Sequence, residues 1–217
     1  MKNTIVIILI LFTAVAASGQ NKYQTGKRVA QSKKQLAPVE AYVRAVKYYV
    51  DEVEMPDEVI ANVADYNNAT KPEWKYFDSL RAYEEADVDS YETYFVWKIN
   101  GKTSQVNVTY SSPSGDWVHY VYHTFYPNGS AAKIERDLRT FMGDIIVNRV
   151  GYYNRRGKLL AKTESYRDLT TQNPIKKPES FIDIDVDVYR NVAKLPFRST
   201  TAEYIPMSDN RVPSPKI

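Results

Sequence analysis

Apolar residues recur at three- and four-residue steps from Val39 to Val53: Val39, Tyr42, Val43, Val46, Tyr49, Val50 and Val53. That spacing is one face of a helix. Glu40, Arg44, Lys47, Asp51 and Glu52 fall off the stripe, and Pro38 suits a first helical position. Valine and tyrosine are mediocre helix formers, so a helix over 37–53 needs a sheet to pack on. Pro56–Val63, with Asp57 and Glu58 in its first turn, reads as a second, shorter helix, and Pro72–Glu85 as a third.

The pattern changes at Tyr91. Tyr91, Phe95, Trp97 and Ile99 share one parity, the mark of a strand, and Asn100-Gly101 is a hairpin turn signal. Glycines then fall at 101, 115, 129, 143 and 157, each 14 positions after the last, and five of the chain's eight glycines stand in this register. Asp follows Gly115 and Gly143 but not the other three, so the repeat is best read as 28 residues, two strands and two turns. Stacked copies of one β-hairpin make an antiparallel meander. Ser130–Met142 has a competing reading: Ser130 as a cap, Ile134, Leu138 and Phe141 on a helical face, and Gly143 as the stop. The glycine register favours a strand there, and local propensity a helix.

Tyr152 to Leu160, YYNRRGKLL, resembles the "YY…NGKL" turns of MORN-like bacterial repeat proteins. The resemblance covers residues 97–166 and departs from true MORN repeats in period and glycine density. It implies a secreted or envelope β-repeat module and carries over no catalytic residue.

Arg167–Ser180, with Pro174 and Pro178, reads as a linker. Phe181–Tyr189, FIDIDVDVY, alternates apolar residues with three aspartates and reads as the last strand, its carboxylates wet and Ile182 to Val188 facing the core. A calcium loop starting at Asp183 fails, because the positions that need Gly and Glu hold Val188 and Lys194. The proline-rich stretch 196–217 reads as an extended tail.

The N-terminus adds a destination. Lys2, an apolar run from Ile5 to Ala17, and small residues through Gly19 form the pattern of a secretory signal peptide over 1–20. No cysteine follows to carry a lipid anchor, form a disulfide or bind a metal. A polar basic leader over 21–36 comes next. The expected location is periplasmic or secreted from a bacterium, with no membrane span after signal cleavage. A formal charge of +3 is too small to argue for nucleic acid.

Catalytic chemistry has little to stand on. His119 and His123 are the only histidines. On a strand they share a face but sit about 13 Å apart at roughly 3.3 Å per residue, too far for one metal ion. Neither GxSxG nor SxxK occurs, nor a phosphate loop or dinucleotide fingerprint, so no catalytic residue, metal or cofactor is assigned. Tyrosine stands out, with 18 copies. In 116–126 both faces are apolar or aromatic: Trp117, His119 and His123 on one, Tyr120, Tyr122 and Tyr126 on the other. These six are the candidate binding residues, since tyrosine rings with polar tips suit sugars, peptides or a protein partner.

The sequence therefore points to one α+β domain over 37–195. Helices within 37–86 pack on a twisted antiparallel meander of six to seven strands over 90–189, open or curled toward a barrel. The expected function is a non-enzymatic binding or interaction module whose partner is a protein or cell-envelope polymer. A carrier of a small apolar ligand and a small hydrolase are the alternatives.

Overall fold

A computed structural model describes residues 33–179 and 181–198, and the backbone of 203–205. The expected signal peptide, most of the expected basic leader and most of the expected tail lie outside the described residues. Helix α1 occupies 33–53. It is already formed at residue 33, so 33–36 of the expected leader are helical and Pro38 lies inside the helix rather than at its start. Val39, which opens the docking stripe, follows immediately.

The sheet is open and has ten strands in the order β10-β2-β1-β3-β4-β5-β6-β7-β8-β9. These are β1 (Glu58–Asn62), β2 (Trp74–Phe77), β3 (Glu92–Ile99), β4 (Lys102–Ser111), β5 (Trp117–Phe125), β6 (Ala131–Thr140), β7 (Ile145–Tyr153), β8 (Leu159–Asp168), β9 (Pro174–Ile175) and β10 (Glu203–Ile205). All neighbours are antiparallel except β10 and β2. The meander β3–β8 has the expected long hairpins, but the sheet is larger than expected and does not close into a barrel.

Two of the expected helices are corrected. The second is strand β1, whose EVIAN sequence is buried at Val59, Ile60 and Ala61. It inserts between β2 and β3, and tertiary pairing on both sides outweighs the acidic helix-start signal. The third begins as β2, and only Leu80–Glu85 forms a helix, α2, capped by Ser79, whose side chain accepts from Ala82 N. The ambiguous 130–142 segment is strand β6, paired over most of its length with β5 and β7. All five glycines of the 14-residue register have positive φ, from 71° to 90°. The register therefore counts tight turns, where a side chain would strain the backbone.

The two faces of the sheet are covered differently. On one, α1 crosses one end of the meander. Val39 and Val43 pack with Tyr126 and Ala132, and Val46 and Val50 with Trp97. The Tyr42 hydroxyl donates to the Phe125 carbonyl at 2.7 Å. Each fully buried valine contributes about 1.5 kcal/mol. Tyr49 and Val53, which shared the predicted stripe, are exposed. Helix α2 covers the β1–β3 side of the same face through Leu80 and Tyr83.

The opposite face carries the main core, and its cover is the segment 181–198. This corrects the reading of FIDIDVDVY. The segment is extended but pairs with no strand as a ladder. It lies across the face as a strap, with Phe181 and Ile184 against Leu138, Val147 and Tyr166, and Val186 and Tyr189 against the β3–β5 core. Ile182 and Val188 are exposed, contrary to the alternation. The reason lies in the sheet beneath: Arg149 and Arg136 project from this face, and Asp183 and Asp185 turn to meet them. Beyond the strap, Leu195 and Phe197 close the core beside Trp74 and Tyr94.

Candidate functional site

Strand register builds the strap-covered face in rows. One row runs Asn62, Glu92, Tyr110, His119, Leu138 across five neighbouring strands, β1 and β3–β6. Its first half opens into a pocket of about 400 Å³, within the range of small-ligand sites. Tyr66, Tyr91, Tyr110 and Trp117 wall the pocket, and Asn62, Glu92 and Lys71 add polar tips.

The 63–73 loop over this pocket is fixed by its own side chains. Asp65 Oδ1 accepts from the backbone N–H groups of Asn67 and Asn68, an Asx-type turn. Asn62 Oδ1 accepts from Ala64 N and Glu73 N, closing the base of the loop. Tyr66 and Tyr91 meet edge to face at 5.4 Å.

Glu92 is the charged centre of the pocket. Tyr94 donates to Oε1 at 2.5 Å and Asn62 Nδ2 to Oε2 at 3.2 Å. Burial pushes its carboxyl above the ordinary value, the two donors pull against that shift, and Asp187 adds to it. Behind Glu92, the hydroxyls of Tyr94, Tyr110 and Tyr189 are linked at 3.3 Å, tying the pocket floor to the strap. The carboxylate is thus held in one orientation with lone pairs directed by the protein, an arrangement suited to accepting hydrogen bonds from a polar ligand. Aromatic walls with polar tips complete a surface for stacking and orienting that ligand.

The six residues singled out from the sequence divide among four environments. Trp117 lines the pocket and is half-buried. His119 and His123 are fully buried on the same face. Among the described residues His119 has no hydrogen-bond partner at either ring nitrogen, while His123 Nε2 accepts from Tyr189 N at 3.1 Å. Burial above all lowers both histidines to about 4. Tyr120 and Tyr122 lie on the opposite face, half-buried and stacked at 6.5 Å, with Arg139 5.3 Å from the Tyr120 ring centre. Tyr126 packs under α1, stacked on Tyr42 at 5.0 Å, and its hydroxyl donates to the Tyr153 carbonyl at 3.0 Å. They therefore form no single site, because a strand sends alternate residues to opposite faces.

Asn62, Tyr66, Lys71, Tyr91, Glu92 and Tyr110 carry no signal in the sequence that joins them. Asn62 lay in a segment with helix-start character, and Tyr66 and Lys71 belong to a loop. Among the described residues there is no group of three or more His, Asp or Glu side chains placed to hold a metal ion. No helix among them is long and apolar enough to cross a membrane. Comparison with known proteins finds no matching family model, no matching curated protein and no matching solved structure. The geometry therefore carries the functional reading by itself.

Proposed function

We propose that the chain is an exported, non-enzymatic binding module of the bacterial envelope that takes a sugar unit of an envelope or extracellular polymer into the Glu92 pocket. The observation that carries this reading is the combination of four aromatic walls with one hydrogen-bonded, oriented carboxylate. Sugar rings present apolar C–H faces to aromatic side chains and hydroxyl edges to carboxylates and amides. Tyr66, Tyr91, Tyr110 and Trp117 supply the first kind of contact, and Glu92, Asn62 and Lys71 the second. The secretory pattern at the N-terminus supports an extracytoplasmic setting.

The test is calorimetric titration of the purified chain with soluble oligosaccharides from peptidoglycan, teichoic-acid and outer-membrane glycans. Binding that is lost in Trp117→Ala and weakened in Glu92→Gln, both still folded, supports the proposal. Binding unaffected by both changes, or no binding to any fragment, overturns it.

A further inference from the structure

At the other wing of the strap-covered face, the rows of the sheet turn from apolar to charged. One runs Ile60, Tyr94, Val108, Val121, and then Arg136, Arg149, Glu164. The next ends Ile134, Gly151, Lys162. The strap leaves this wing uncovered and forms one wall of a trough of about 710 Å³. Gly151 keeps its floor low. A Cβ there would stand 2.8 Å from the Tyr153 hydroxyl and 3.2 Å from its ring, so glycine lets that ring fold back flat.

The charges around the trough do not balance. Five cations border it, Arg136, Arg149, Lys162, Lys177 and Arg190, against two carboxylates, Glu164 and Asp183. Arg149 takes both carboxylates, with Nε at 2.7 Å from Glu164 and Nη1 at 2.8 Å from Asp183. Arg136 is met by Asp185 from the strap at 3.5 Å. Lys162, Lys177 and Arg190 form no ion pair with a described residue. Lys177 and Arg190 rest on aromatic rings instead, 5.8 Å from the Tyr166 centre and 5.3 Å from the Tyr153 centre. Those contacts fix the two cations without neutralising them. Three like charges gathered around one concave surface repel each other, and an anion entering between them relieves that repulsion.

We propose that this trough is a binding site for a compact polyanion, a ligand with two or three phosphate or carboxylate groups held by Lys162, Lys177 and Arg190. Arg149 is the rigid centre of the site but its charge is already met by two carboxylates, so the three cations without an ion pair supply most of the affinity. The site lies apart from the Glu92 pocket and does not depend on the sugar-binding reading.

The test titrates the folded chain with inorganic tripolyphosphate and, separately, with citrate, following heat and the Gly151 amide signal by NMR. The expected result is binding that weakens as salt rises and that shifts the Gly151 signal. A response to tripolyphosphate alone assigns the ligand to phosphate chemistry, and a response to citrate alone assigns it to carboxylates. Each of Lys162→Gln, Lys177→Gln and Arg190→Gln weakens binding about tenfold. Lys162→Glu, an exposed single change on β8, reverses the charge and abolishes it. No binding of either anion at millimolar concentration, or binding that survives Lys162→Glu, overturns the proposal.

Discussion

Arg149 on β7 holds Asp183 of the strap at 2.8 Å while its Nε holds Glu164 of β8 at 2.7 Å, so one guanidinium fastens the strap to the sheet. Arg149 is only 14% exposed at its side chain, and Asp183 is 46% exposed. Asp185 makes the corresponding contact with Arg136 at 3.5 Å but is 93% exposed. Screened, exposed pairs contribute little, and better-buried ones more. Asp183→Asn is therefore expected to lower stability by about 1 kcal/mol and to speed proteolysis within 181–190. Asp185→Asn should change neither measurably. Urea unfolding with limited proteolysis checks both, and equal effects of the two substitutions would contradict the unequal geometry.

The buried histidines set an acid limit. His119 and His123 stay neutral in the fold down to about 4, chiefly through burial. Around His119, Arg136 and Arg149 also oppose protonation, while Asp183 and Asp185 favour it. An unfolded histidine binds its proton near 6.5. The folded values are depressed, so below about 6.5 the unfolded state takes up protons that the fold refuses. Stability is full above that pH and falls as pH drops toward 4, by roughly 3 kcal/mol for each histidine. Glu135 and Glu164, whose folded values are lowered, add to the loss at the acid end of this window. Unfolding midpoints measured from pH 7 to pH 4 should decline steadily, and His119→Leu should flatten the slope. A flat profile in the parent protein would show that the histidines are not held neutral.

Tyr94 and Glu92 make a separate prediction. The Tyr94 hydroxyl stabilises the ionised carboxylate against the burial that disfavours it. Tyr94→Phe removes that donor and should raise the Glu92 carboxyl value further, visible in carboxyl-carbon NMR titrations. A downward shift would mean that Tyr94 does not donate to Glu92.

Gly151 offers a packing test independent of backbone strain. It is the one glycine of the meander that lies inside a strand, and its added Cβ would meet the Tyr153 ring. Gly151→Ala is expected to cost about 1–3 kcal/mol by overpacking, with Tyr153→Leu in the same chain restoring part of the loss. Gly101→Ala meets no atom within 4 Å, and its cost of about 1 kcal/mol comes from φ of +71° alone. Tyr153→Leu should not rescue Gly101→Ala. Denaturation midpoints of the four variants separate the two causes.

The chain's periodicities carried the local features. The stripe beginning at Val39 placed α1, and the 14-residue glycine register placed five turns and the meander between them, including β6 against its helical propensity. Such features are visible because turns need positive φ and helices need one apolar face, demands met within a few residues of sequence. The partnership of segments far apart in the chain was not visible. EVIAN became a strand because β2 and β3 flank it, and FIDIDVDVY became a strap because Arg136 and Arg149 stand beneath it. The same holds for the Glu92 pocket and the basic trough. Each gathers side chains from several strands or loops, and cross-strand neighbours are set by register, which no local pattern encodes. The sequence alone determined where the chain turns and which segments are amphipathic. Tertiary pairing decided which residues meet, because burial and charge compensation are properties of neighbours in space.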